Sequence, residues 1–156
     1  MRFLDTIDIS ASGLTAQRLR MDTIANNIAN VETTRVQNGR GPYRRQVVVF
    51  EARKTQLPEQ LASRNFENIL EEKIGNMGSG VRVKEIRSVN ENEQPFRRVY
   101  DPSHPDADEE GYVNYPNINI VEEMINMISA TRAYEANAKV IEASKSMAMR
   151  ALDIGR

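Results

Sequence analysis

The sequence predicts an α+β protein in which long N- and C-terminal α-helices pair as an antiparallel coiled coil, with a small β-rich insert between them. Two observations predict it. At both ends of the chain apolar or small residues recur in alternating three- and four-residue steps, the spacing that keeps one stripe of a helix facing a partner. Between the ends the rhythm changes to short β-branched runs, such as Val47-Val48-Val49-Phe50 and Val81-Arg82-Val83, separated by glycine and proline, which is the pattern of strands and turns. The expected division is an N-terminal helix and turn over 1–34, a β-rich middle over 35–114 and a C-terminal helix over 115–156.

The first helix starts near residues 3–5 and ends around Asn30. Its stripe is Leu4, Ile7, Ala11, Leu14, Met21, Ala25 and Ile28, interrupted by Arg18. At about 1.5 Å per residue such a helix is roughly 40 Å long. Gly13 inside it costs about 1 kcal/mol relative to alanine, unless it lets another backbone come close. Phe3, Ile24 and Val31 add a second apolar edge, so more than one neighbour is expected. Asn26, Asn27 and Asn30 then end the helix, because asparagine competes for backbone hydrogen bonds and favours turns. The same amides are candidates for fixing register between packed helices, since a buried amide favours the arrangement that satisfies it.

In the middle, residues 43–51 and 81–86 read as strands, and residues 96–100 as a further one. They suggest a small antiparallel sheet within 42–101. Leu61, Phe66, Ile69, Leu70 and Ile74 suggest a short helix over 58–74. The cluster Gly75, Gly78 and Gly80 is a turn rather than a phosphate loop, because no lysine and helix follow it. Residues 101–113 hold the only histidine, His104, among five carboxylates. Two prolines, a spacing unlike a calcium loop and the lack of a second histidine or any cysteine argue against a metal site.

The last segment answers the first. Asn119 with Glu122 three residues later has the form of an N-cap and its reciprocal partner. Ile120, Met124, Met127, Tyr134, Ala138, Ile141, Ala148 and Leu152 carry the rhythm, with Thr131 and Lys145 as polar interruptions. Glu135 and Lys139 are spaced for a favourable i,i+4 pair. The expected subunit-packing positions are Leu4, Ile7, Leu14, Met21, Ile28, Met124, Met127, Tyr134, Ile141 and Leu152. Asn126 and Asn137 join the register amides.

Composition limits the function. The 156 residues carry 21 Lys and Arg against 22 Asp and Glu, so no bulk charge points to nucleic acid or an anionic membrane. Only 6% are aromatic and there is no tryptophan, which leaves few large anchors for one globular core. The absence of cysteine removes disulfides, thiolate metal sites and thiol catalysis. Asp5 and Asp8 interrupt the region where a signal peptide needs an apolar run, and no stretch approaches membrane-spanning length. No catalytic group, cofactor, metal, nucleic acid or small-molecule substrate is expected. A lytic enzyme would need paired carboxylates in a cleft, and those at residues 106–110 sit in a short polar loop.

Four stretches carry a resemblance. Ala25-Asn26-Asn27-Ile28-Ala29-Asn30-Val31-Glu32-Thr33 resembles the N-terminal signature of the bacterial flagellar rod and hook proteins. Tyr100-Asp101-Pro102-Ser103-His104-Pro105-Asp106-Ala107, the run from Gly111-Tyr112-Val113 to Pro116-Asn117-Ile118-Asn119, and residues 122–137 are similar to the proximal members of the basal-body rod. The resemblance implies a structural subunit that reaches the rod through the flagellar type III export apparatus, without a cleaved signal peptide. It implies helical assembly with other copies and other rod proteins, transmitting torque across the periplasm. Residues 36–40 depart from the glycine-aromatic turn of many relatives, and Gly41-Pro42-Tyr43 is the expected substitute. From charge placement, the basic segment 35–54 is expected to meet the acidic loop 101–110 of a neighbour. The rival reading is a soluble coiled-coil adaptor or export chaperone of the same system.

Overall fold

The rhythm at the two ends forms two helices, α1 (Phe3–Ala29) and α2 (Ile120–Ile154). The computed structural model describes residues 3–36, 41–53, 78–90 and 92–155, with Phe3 and Leu4 by backbone only. The helix expected over 58–74, Gly75, and the side chains of Phe3 and Leu4 lie outside the described residues.

The asparagine cluster does end α1. Asn30 returns both its backbone N–H (3.1 Å) and its side-chain amide (2.8 Å) to the Asn26 carbonyl, and Thr33 donates to the Asn30 side chain at 3.1 Å. These bonds satisfy groups that a helix end leaves without partners. At the start of α2, Asn119 Oδ1 accepts the N–H groups of Val121 (3.0 Å) and Glu122 (3.4 Å), as an N-cap does. Its reciprocal half does not form as expected, because the Glu122 carboxylate bonds Arg45 instead.

Among the described residues four strands lie between the helices: β1 (Gln46–Ala52), β2 (Val81–Ser88), β3 (Arg97–Tyr100) and β4 (Tyr112–Tyr115). They form two two-stranded sheets, β1 with β2 and β3 with β4, rather than one. The β3–β4 ladder is antiparallel, with Arg97 opposite Tyr115 and Tyr100 opposite Tyr112. Strand β4 escaped the sequence reading because it has only four residues and follows a long polar loop.

Contacts divide the chain into two compact units. Unit 1 comprises residues 1–18, 50–84 and 132–156, and unit 2 residues 19–49 and 85–131. Each takes a stretch of both helices.

In unit 1 the clasp between α1 and β2 is Ser12, whose hydroxyl donates to the Ile9 carbonyl (2.6 Å) and accepts the Val81 N–H (3.1 Å). Gly80 has to be glycine there, because its φ is +92° and an added Cβ would lie 2.5 Å from Ser12 Oγ. Arg53 reaches Asp8 at 3.3 Å. Gly13 faces Asn137, whose amide atoms would lie 3.0 Å from an added Cβ. Its helical cost is thus accompanied by a close approach of α2.

In unit 2 the buried apolar residues are Ile24, Val113, Ile118 and Ala130. The loop between β3 and β4 is held by its own hydrogen bonds. The Asp101 N–H donates to the Gly111 carbonyl and the Asp108 N–H to the Tyr112 carbonyl, both at 2.9 Å. Asp108 Oδ1 accepts the N–H groups of Glu110 (3.1 Å) and Tyr112 (2.8 Å).

The rows buried deepest are not the rows of large apolar residues. On α2 they are Glu123, Ala130 and Ser144, at multiples of seven residues, with Asn137 half-buried in the same row. On α1 the buried residues are Ser10, Ser12, Ala16, Thr23, Ile24 and Asn27. Small and polar side chains face the inside, and this lets the backbones approach closely.

Candidate functional site

Unit 2 contains a buried polar cluster centred on Asn27, which is 1% exposed. All four hydrogen-bonding capacities of its amide are used. Nδ2 donates to the Gln46 carbonyl (2.8 Å) and to Glu123 Oε2 (3.1 Å). Oδ1 accepts the Gln46 N–H (2.9 Å) and the Tyr43 hydroxyl (3.1 Å). One side chain on α1 therefore fixes the start of β1 and the first turn of α2.

Glu123 is only 2% exposed. Its second oxygen accepts Arg45 Nε (2.9 Å) and Nη2 (2.5 Å), and Arg45 Nη2 also reaches Glu122 at 3.0 Å. A carboxylate this buried needs such a partner. Burial works against the Arg45 charge, but the hydrogen bond and charge of Glu123 outweigh it and hold the guanidinium above its ordinary pKa. Burial pushes the Tyr43 phenol up, and the Glu123 charge adds to this, so Tyr43 stays a donor. Tyr43 comes from the Gly41-Pro42-Tyr43 turn, where Gly41 takes a φ of +87°.

The other expected amides are placed differently. Asn126 accepts from Arg20 Nη2 at 3.4 Å, and Asn137 donates to the Ala133 carbonyl at 2.9 Å. Asn26 is exposed and Asn30 half-buried at the end of α1. Among the expected packing positions Ile7, Leu14, Met21, Ile28, Met127, Tyr134 and Ile141 are half-buried, whereas Met124 and Leu152 are exposed. Met21 Sδ lies 3.5 Å from the Thr131 hydroxyl.

In unit 2, α2 exposes a second apolar row that the seven-residue reading passed over. Val121 is 65% exposed, Ile125 62% and Ile128 53%, with Ile120 and Met124 beside them. Val121 and Ile128 are one heptad apart, and Ile125 lies between them on the same side of the helix. Large aliphatic side chains concentrated on one exposed helix face mark an interaction surface.

Three described cations of the basic segment are paired inside the chain. Arg35 and the Thr34 hydroxyl both meet Asp106, Arg45 meets Glu122 and Glu123, and Arg53 meets Asp8. Arg35 thereby pairs with the acidic loop of its own chain. His104 Nδ1 accepts the Asp106 N–H at 3.1 Å, a local loop bond. Among the described residues no cluster of three or more His, Asp or Glu side chains is placed to hold a metal ion, and no helix is long and apolar enough to cross a membrane.

Two family models match the segments that build this cluster and this row. The "Flagella basal body rod protein" model covers residues 7–37, and the "Flagellar basal body rod FlgEFG protein C-terminal" model covers residues 109–154. Whole-length relatives agree. The flagellar basal-body rod protein FlgC of Borreliella burgdorferi is 45% identical, over 99% of this chain and 98% of its own. FlgC of Bacillus subtilis is 41% identical and that of Salmonella typhimurium 35%, each over 100% of both chains. The chain belongs to the FlgC family of flagellar basal-body rod proteins. It is therefore a structural subunit of the basal-body rod, and it assembles there with other flagellar rod proteins. The relatives are structural rod proteins rather than enzymes. Asn27 and Glu123 each lie in one of the matched segments, whereas Tyr43 and Arg45 lie between them.

Proposed function

We propose that this family member is a proximal rod subunit whose terminal helices, 1–34 and 115–156, form the packing body and whose residues 35–114 form a β-rich appendage. The helices pair as an antiparallel coiled coil. The reading is supported by contacts whose numbers fall on α2 as they rise on α1: Gly13 by Asn137, Met21 by Thr131 and Asn27 by Glu123. Copies and other rod proteins then stack helically and transmit torque, because close-packed interfaces do not deform continuously. The subunit reaches the periplasm-spanning rod through the flagellum's own export apparatus.

One observation carries the assembly reading, the exposed row Val121, Ile125 and Ile128 on α2. A chain that worked alone would gain by covering these side chains, each worth about 1.5–3 kcal/mol when fully buried. The half-buried stripe Leu14, Met21 and Ile28 on α1, with Ile7 and Leu4 toward its start, supplies further packing surface, as do Met127, Tyr134, Ile141, Met124 and Leu152 on α2. Asn27 sets the register of α1 against α2, the exposed Asn26 is available to neighbours, and Asn30, Asn126 and Asn137 hold bonds within the chain.

The test is complementation in motile cells lacking the endogenous rod subunit. Ile125→Asp combined with Ile128→Asp is expected to abolish swimming and to stop basal bodies before the rod is complete, while the purified variant unfolds at the parental temperature. Normal swimming by that variant would refute the proposed surface.

A further inference from the structure

Charge is divided unequally between the two units. Unit 1 carries thirteen Lys and Arg against ten Asp and Glu, and unit 2 eight against twelve. Much of the charge in unit 2 is already paired inside it. Arg35 is held by Asp106, Arg45 by Glu122 and Glu123, Arg87 by Glu93 and Arg98 by Asp108.

The carboxylates left over include a pair at a rigid place. Glu109 and Glu110 are exposed at the tip of the β3–β4 loop, with no partner among the described residues. The loop behind them is fixed by Asp108, which accepts two backbone N–H groups and the Arg98 guanidinium. Asp101 is tied to the Ser103 hydroxyl (2.6 Å) and N–H (3.1 Å). A carboxylate pair on an ordered support loses less side-chain and loop freedom on binding than one on a loose loop.

The matching cations are on α2 in unit 1. Arg132, Lys139 and Arg150 are exposed, have no ion pair among the described residues, and fall on one face of the helix because seven and eleven residues are close to whole turns. Val140 and Met147, also exposed, run beside them.

We propose that Glu109 and Glu110 of one copy dock on the cation row Arg132, Lys139 and Arg150 of a second copy. Unit 2 of one subunit then meets unit 1 of the next. Such a contact is heterologous, and it propagates into an open helical array when the rotation does not close. It sets direction and register more than strength, because exposed ion pairs contribute little each. The inference rests on the reading of the chain as a self-associating rod subunit and names the surfaces that would meet.

The test mixes full-length protein of natural and 15N isotope composition under conditions where sedimentation shows association, then adds a carbodiimide, which joins a carboxylate to a lysine amine as an amide and takes up the water. Mass spectrometry is expected to find mixed-isotope peptides linking Glu109 or Glu110 to Lys139. They should be lost in the Glu109→Gln, Glu110→Gln variant, and at about 1 M salt, where charges are screened within about 3 Å. The Glu109→Lys, Glu110→Lys variant should weaken association, and mixing it with the Arg132→Glu, Lys139→Glu variant should restore it. Association with mixed-isotope links only elsewhere would overturn this contact and leave the assembly reading standing. Links from Glu109 or Glu110 to another rod protein once it is added, with none to a second copy, would overturn the second copy as occupant. A chain that stays monomeric at every concentration would overturn both.

Discussion

Asn27 and Glu123, 96 residues apart in sequence, meet at 3.1 Å and are among the most deeply buried polar side chains of the described residues. Removing the amide by Asn27→Ala leaves the Gln46 N–H and carbonyl and the Tyr43 hydroxyl without their partner. A buried group left unsatisfied costs about 1–3 kcal/mol, so a loss on the order of 3 kcal/mol is expected in urea unfolding of the full chain. Asn27→Asp places a carboxylate against Glu123 and should cost at least as much at neutral pH. Its deficit should shrink as the solution is acidified and the new carboxyl takes up a proton.

Arg45 is expected to be the second sensitive position. Arg45→Met strands the buried Glu123 charge, a change that costs about 3–5 kcal/mol when a buried pair is broken from one side. The double variant Arg45→Met, Glu123→Leu removes both charges and should recover a large part of that loss. A double-mutant cycle by chemical denaturation measures the coupling. Simple additivity of the two substitutions would show that the pair is not coupled.

Gly13 gives a prediction of small size and definite direction. Gly13→Ala should gain about 1 kcal/mol of helix preference, but the new Cβ would press on the Asn137 amide at 3.0 Å and disturb its bond to the Ala133 carbonyl. The single substitution is expected to be close to neutral. With Asn137→Ala added, the helix gain should no longer be opposed, and thermal unfolding of the four variants compares them.

These cases also show what could be read in advance. Both helices, the asparagine stop at residues 26–30, the N-cap at Asn119 and three of the four strands follow from local patterns of residue type. The inner faces did not follow, because they are built of Ser12, Ala16, Thr23, Asn27, Glu123, Ala130 and Ser144. Apolar periodicity is blind to a row whose members are chosen for small size or for one specific partner. Asn27 was singled out as an amide, but its partners Tyr43, Gln46 and Glu123 come from two segments distant from it in the chain. No local spacing links them. The acidic loop looked free to meet a neighbour, yet Asp106 and Asp108 hold Arg35 and Arg98 of the same chain.

The β3–β4 loop should respond to acid. The hydrogen bonds from the Ser103 hydroxyl and N–H hold the Asp101 carboxyl below its ordinary pKa, and the Tyr112 N–H, followed by Arg98 and the Glu110 N–H, does the same for Asp108. Both groups therefore contribute stability above the ordinary carboxylate value of about 3.9, and it is lost as pH falls through their lower folded values. NMR is expected to show the Ser103 and Tyr112 amides shifting together as the loop releases below about pH 4. Asp108→Asn keeps an acceptor for Tyr112 and should remove this residue's share of the pH dependence. Amide positions unchanged down to the acid limit would contradict the assignment.

The decisive measurement is a density map of the assembled basal-body rod containing this subunit. In it Val121, Ile125 and Ile128 should be covered by neighbouring subunits, while Asn27 remains bonded to Glu123 inside its own chain. A rod in which those three side chains face solvent, with contacts carried by the β strands instead, would contradict it.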